Sequence, residues 1–183
     1  MLDLVTRLLR FHGSFSDEEI TLFAESLKAR DIPKGGSVLQ VNEVCREVSI
    51  IEQGSFIQYY RDQELNDVIV NLFVSHDWLL SRSSFTSQKA SKSKIEAFED
   101  SRIHTISMDD LHQLIGKHPA FFALGRILEV THSHSDPKHT PDKKYELLLQ
   151  EKPQLVQKFP LKHIASYLNM TPETLSRVRS RIS

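Results

Sequence analysis

Cysteine occurs once in this chain, at Cys45, so no disulfide can close within it and a reducing cytoplasm is the expected setting. A lone thiolate also falls short of the several that an iron–sulfur cluster requires. Glycine is scarce, with six in 183 residues, and no glycine-rich phosphate loop is present. No stretch approaches the roughly 20 apolar residues of a membrane span. The opening Met1-Leu2-Asp3-Leu4 has an early acid and no small-residue cleavage site, so no secretory leader is expected either. No Ser-His-Asp or Cys-His pattern stands out, and neither enzymatic activity nor a cofactor is expected. What is there is ordinary globular material, 39% hydrophobic and 26% charged, with a formal net charge of -1.

That near-neutral total hides an asymmetry. Residues 138–183 hold nine lysines and arginines against four acids (Asp142, Glu146, Glu151 and Glu173), which leaves the remaining residues acidic. Positive charge gathered in a short segment is what phosphate binding demands, although a solvated helical face has the same signature.

Periodicity divides the chain into three textures. Residues 2–11 read as a helix with Leu4, Leu8 and Phe11 on one face. Ser16-Asp17-Glu18-Glu19 is a capping box that opens a second helix to about Leu27. From Lys28 to Ser107 come short β-type runs: Ser37–Val41, Val48–Glu52, Phe56–Tyr60, Val68–Val74, Lys94–Phe98 and Ile103–Ser107. Turn residues such as Pro33-Lys34-Gly35-Gly36 and Gln53-Gly54-Ser55 separate them, which predicts an antiparallel sandwich or jelly roll. The hydrophilic stretch 81–93 reads as a loop or a short helical insertion. Helix signals return with Ser107 as a cap and Leu111, Leu114 and Ile115 as an apolar stripe. A further helix from Pro119 carries Phe122, Leu124, Ile127 and Leu128 and ends near His134. Thr140 then caps, and Pro141 begins, the next helix.

The most specific segment is Leu161 to Ser180, LKHIASYLNMTPETLSRVRS. Leu161, Ile164 and Leu168 form the inner face of one helix, and Ala165 is the small residue that lets a second helix cross it. Asn169 stands where the chain must enter the left-handed region, which asparagine tolerates better than most residues. Met170 plugs the junction, Thr171 caps the second helix, Pro172 suits its first turn and Glu173 favours its positive end. Leu175, Val178 and Ile182 face inward. Polar and basic side chains face outward, as a helix entering a DNA major groove requires. An ordinary helical hairpin is the plainer alternative.

At this point the chain resembles the Crp–Fnr regulators, through IASYLNMTPETLSR, Pro33-Lys34-Gly35, the late turn Ile95-Glu96-Ala97-Phe98-Glu99-Asp100-Ser101, and Phe121 to Leu128. The resemblance implies an α+β architecture: an N-terminal antiparallel β-roll or jelly roll with flanking helices, a linking helix, and a C-terminal all-α helix-turn-helix domain. Residues 1–118 would form a cyclic-nucleotide-binding-like sensor, 119–137 the linking and dimerisation helix, and 138–183 the DNA-binding domain. It implies double-stranded DNA, a second copy of the chain and RNA polymerase as partners. Base reading would fall to Glu173, Thr174 and Arg177, and phosphate contacts to Lys162, Thr171, Arg179 and Arg181. Pro172, at another base-reading position of the family, has no donor. The family's nucleotide site carries a Gly-Glu and an Arg-Ser pair, and Leu80-Ser81 and Ser91-Lys92 stand there instead. Ser81, Ser91 and Lys92 are therefore the candidate pocket for an unknown small effector, unless the roll is a scaffold only. From Gly125 to Tyr145 the linking segment looks about two turns shorter than in relatives, and no room for a β-wing follows the last helix.

Two rival readings stay open. In one, Lys92 and backbone amides replace the missing arginine and the chain answers to a cyclic nucleotide. In the other, a cupin-like barrel holds a metal through histidines such as His76 and His104. His132, His134 and His139 form another histidine-rich stretch, read as a polar loop rather than a metal site. No metal is expected.

Overall fold

Eight short strands form two four-stranded sheets in the computed structural model, which describes residues 1–126 and 136–182. The strands are β1 (Lys28–Ile32), β2 (Ser37–Leu39), β3 (Glu47–Gln53), β4 (Ser55–Arg61), β5 (Asp67–Val74), β6 (Trp78–Leu79), β7 (Lys94–Ala97) and β8 (Ser101–Ser107). One sheet runs in the order β1-β8-β3-β6 and the other β2-β7-β4-β5. β1 pairs antiparallel with β8, and β2 with β7, so the first strands close against the last, as in a rolled-up sheet. β1 has no counterpart among the expected strands. In its Lys-Ala-Arg-Asp-Ile sequence Ile32 is buried, Arg30 half-buried and the rest exposed, and charge is what keeps a sheet edge from pairing with another chain.

The turns obey local stereochemistry. Gly54 joins β3 to β4 at φ 107, and a Cβ there would collide with Ser101, so the position requires glycine twice over. The 81–93 stretch folds as the short helix α3 (Arg82–Ser87). Inside the roll, Ile50, Ile51, Phe56, Ile95, Ile103 and Ile106 are all buried. Each full burial of such a side chain contributes about 1.5–3 kcal/mol before the cost of ordering it.

Helices α1 (Leu2–His12) and α2 (Asp17–Ser26) close one end of this core. The capping box forms as expected: Glu19 N–H donates to Ser16 Oγ, and Ser16 N–H donates to the Glu19 carboxylate at 2.8 Å. The expected stripe on α1 is corrected. Leu4, Val5, Leu9 and His12 turn inward, Leu8 is half-buried, and Phe11 is 83% exposed. α4 (Met108–Lys117) begins at Ser107, whose Oγ accepts from Asp110 N–H. The segment from Pro119 is a 3-10 helix to Gly125, not an α-helix, and it buries Phe121 and Leu124 while Phe122 stays 71% exposed. The tighter three-residue turn rotates the face that the sequence assigned to Phe122. Phe121 stacks on Phe15 at 5.5 Å and lies 5.8 Å from Phe23. Ile127, Leu128, His132 and His134 lie outside the described residues.

The remaining helices are α5 (Pro141–Glu151), α6 (Gln154–Lys158), α7 (Leu161–Tyr167) and α8 (Pro172–Ile182). The chain divides into two compact units. One comprises Met1–Gln58 and Phe73–Val130, the other Tyr59–Leu72 and Thr131–Ser183. The outer part of the β4–β5 hairpin thus belongs with the C-terminal helices.

Candidate nucleic-acid interface

The turn between α7 and α8 is built as the residue types require. Ile164 and Leu168 are buried, and Ala165 is fully buried, with its carbonyl accepting from Met170 N–H at 2.9 Å. Asn169 occupies the left-handed region at φ 55. Thr171 then caps α8: its Oγ1 accepts from Thr174 N–H at 3.2 Å, and its carbonyl accepts the first helical bond from Leu175. Leu175 and Val178 are buried beneath the helix, and Ile182 is half-buried.

This orientation decides what α8 shows to solvent. Glu173, Ser176, Arg177 and Ser180 form the exposed outer stripe, flanked by exposed Arg179 and Arg181, with Lys162 exposed on α7. Thr174 is only half exposed, and its hydroxyl sits 3.1 Å from that of Thr171, so it belongs to the cap as much as to the outer face. Ser176 and Ser180 had no part in the sequence reading. Their 3.6-residue phase with Glu173 and Arg177 was the available signal. Glu173's own backbone N–H, the Thr171 hydroxyl and the charge of Arg177 hold its carboxyl below the usual carboxylate range, so it is ionised at neutral pH.

Arg181 has a committed partner. Its guanidinium grips Asp142 of α5 with Nη2 at 2.6 and 2.9 Å from the two carboxylate oxygens and Nε at 3.0 Å. The pair fastens α8 to α5, whose Tyr145 and Leu148 are buried. Lys144 Nζ reaches the Leu168 carbonyl at 3.4 Å, satisfying an acceptor at the end of α7. Ser166 on α7 accepts the Ile69 N–H at 2.9 Å, so the free edge of β5 is sealed by a helix hydroxyl. In the same unit Asp67 faces His163, whose imidazole is pushed below its ordinary pKa mainly by burial and then by Lys162.

The candidate effector residues differ in exposure. Ser81 and Ser91 are buried with their hydroxyls 3.4 Å apart, and Lys92 is exposed. Gln58 and Ser93, which sequence reasoning missed, complete the cluster. Gln58 Nε2 donates to Ser93 Oγ at 2.8 Å and to Ser81 Oγ at 3.2 Å, and Ser91 Oγ donates to the Ser93 carbonyl at 2.8 Å. The bonds joining these four residues link neutral hydroxyl, amide and carbonyl groups to one another. His104 Nε2 lies 2.8 Å from Glu52, and that bond is the main reason the Glu52 carboxyl sits below its ordinary pKa. His76 is an exposed turn residue at φ 74. No group of three or more histidine, cysteine or acidic ligands that could hold a metal occurs among the described residues. No helix among them is long and apolar enough to cross a membrane.

No sequence-family model matches the chain. A search of curated proteins likewise finds no match. Solved structures do match. FixK2 from Bradyrhizobium japonicum superposes with a TM-score of 0.66 at 16% identity, covering 85% of this chain and 84% of that one. The catabolite activator protein of Thermus thermophilus gives 0.56 at 16% identity, covering 92% and 84%. A cyclic nucleotide-binding domain from Methylobacillus flagellatus gives 0.62 at 13%, covering 84% and 83%. At such identities the likeness is one of fold, and that fold is the α+β roll with C-terminal helices that the sequence predicts.

Proposed function

We propose that the chain is a DNA-binding transcription regulator of the Crp–Fnr type, acting in the cytoplasm as a homodimer and not as an enzyme. Residues 1–118 are its sensor or scaffold, 119–137 its linking segment and 138–183 its DNA-binding helices. The observation that carries this reading is the outer stripe of α8, where Glu173 and Arg177 stand exposed above a Thr171 cap and an Asn169 left-handed turn. Arg177 pairs with guanine O6 and N7, ionised Glu173 accepts from cytosine N4, and Thr174 reads an adjacent base edge. Lys162, Thr171 and Arg179 hold phosphates, which fix register without reading sequence, and Arg181 joins them only when released from Asp142. The buried Ser81–Ser91 pair, with Lys92 beside it on the surface, is the effector site of this reading. RNA polymerase is the partner through which a bound dimer would act.

The test is selection of the purified protein against a random pool of DNA sites, followed by fluorescence anisotropy on the enriched site. A roughly palindromic site is expected, with binding weakened by salt. Arg177→Ala should cost about 1–3 kcal/mol and relax preference at one base pair per half-site. Selection that returns no enriched sequence, with salt-independent residual binding, would refute the reading.

A further inference from the structure

We propose that the β-roll also binds a small, neutral, apolar molecule about the size of one substituted benzene ring, in a cavity separate from the serine–glutamine cluster. The cavity has a volume of about 130 Å³ and lies under α4. Its walls are contributed by elements far apart in the chain: Phe23 of α2, Trp78 of β6, Phe85 of α3, Leu111 of α4 and Leu124 of the 3-10 helix. An apolar protein cavity of roughly 150 Å³ stays dry and admits benzene, which sets the scale of ligand that enters here.

The chemistry of the lining selects the ligand class. Phe23, Trp78 and Phe85 are buried, yet they border unfilled space, and core atoms facing a void lose the dispersion contacts that close packing supplies elsewhere. Aromatic walls favour an aromatic guest in edge or offset contact. They are also preformed: the Phe23 ring is held 5.8 Å from Phe121 and 6.3 Å from Trp78, so little ordering remains to be done on binding. His112 is the one strongly polar side chain on the cavity. It and Gly125 are its exposed lining residues and mark its mouth. A charged ligand would give up its hydration for walls that cannot replace it. One hydroxyl or amide directed at His112 is the polarity the site accommodates. Ser81, Ser91 and Gln58 do not line this space, so its occupant is not a nucleotide phosphate. Binding here is independent of whether the C-terminal helices read DNA.

Fluorine NMR of fluorobenzene with the full chain tests this directly, with Trp78, the single tryptophan, as a second reporter through its emission. Saturable one-to-one binding is expected, with a concordant change in Trp78 emission. Gly125→Leu should weaken it at least tenfold. A Cβ at Gly125 meets nothing within 4 Å, so the side chain can occupy the mouth without displacing the fold. Leu111→Phe fills the space from the α4 side and should have the same effect, so the result does not depend on one variant folding. 4-Fluorobenzoate should bind at least tenfold more weakly than fluorobenzene. Non-saturable binding, equal binding by both folded variants, or preference for the benzoate would each overturn the proposal.

Discussion

The family resemblance gives Arg181 to DNA phosphate, yet α8 presents it already gripped by Asp142, and the competition between those two roles is measurable. The pair is bidentate, with contacts of 2.6, 2.9 and 3.0 Å, but its side chains are 58% and 39% exposed. In that setting an ion pair contributes about 0.2–1 kcal/mol to stability. Asp142 also lies in the first turn of α5, where a carboxylate adds a further ~0.3–1 kcal/mol through the helix dipole. Asp142→Asn should therefore cost the fold about 0.5–2 kcal/mol in urea titration. Its effect on DNA should have the opposite sign. Freed from its carboxylate, Arg181 can neutralise one more phosphate, which steepens the dependence of log K on log salt by about 0.9 per protomer, or about 1.8 for a dimer. Anisotropy at several salt concentrations reads that slope, and Arg181→Ala in the Asp142→Asn background should abolish the gain. The reasoning fails if the slope is unchanged by Asp142→Asn. It fails equally if Arg181→Ala flattens the wild-type slope by the same amount, since Arg181 would then already be on phosphate.

Three further outcomes follow from the geometry. Asn169→Ala, at φ 55, should destabilise the C-terminal unit by about 1 kcal/mol while Asn169→Gly stays near neutral; equal urea midpoints for the two variants would contradict the left-handed turn. Gly54→Ala should cost about 2 kcal/mol or more, read as a loss of several degrees in melting temperature, because φ 107 and the approach of Ser101 both oppose a side chain. His12 accepts from Trp78 Nε1 at 3.1 Å, and burial first, then the charge of Arg126, pushes its pKa below 6.5. Its stabilising contribution is therefore complete above pH 6.5 and declines as pH falls from there through the lower folded-state pKa, because only the unfolded chain takes up the proton. Urea midpoints at pH 7.5 and 5.5 should differ by less in His12→Gln than in wild type, and an unchanged difference would show that His12 has no share in it.

Where one local rule decides the structure, the sequence was readable. The Ser16 and Ser107 caps, the Asn169 turn and the Thr171 cap each depend on residues within four positions, and each took its expected form. Errors arose where burial depends on distant partners. Leu4, Leu8 and Phe11 satisfy helical spacing, but the roll packs against Leu4 together with Val5 and Leu9, leaving Leu8 half-buried and Phe11 exposed. β1 is a charged edge strand held by β8, so its own composition carries no strand signal. The effector cluster followed the same pattern. Ser81 and Ser91 were found by position, whereas Gln58 and Ser93 joined them through strand pairing and no motif linked them. Lys92 stands between Ser91 and Ser93 in sequence, but it lies at a bend before β7 and is exposed while both serines are buried.

The bond from Ile69 to Ser166 joins residues 97 apart in sequence and lies inside one compact unit. The C-terminal helices are therefore not a detachable bead on a string. A fragment beginning near residue 138 leaves behind Ile69 and Leu72, which are buried in the full chain, and leaves the hydroxyl of Ser166 without its backbone donor. Such a fragment should be less cooperative in unfolding and more open to proteases than the same helices in the intact protein. For lineages that shuffle helical modules between proteins, this arrangement is an obstacle, because the transferable piece is interrupted in the gene. The hairpin has to travel with the helices, or be replaced by something that caps the same edge.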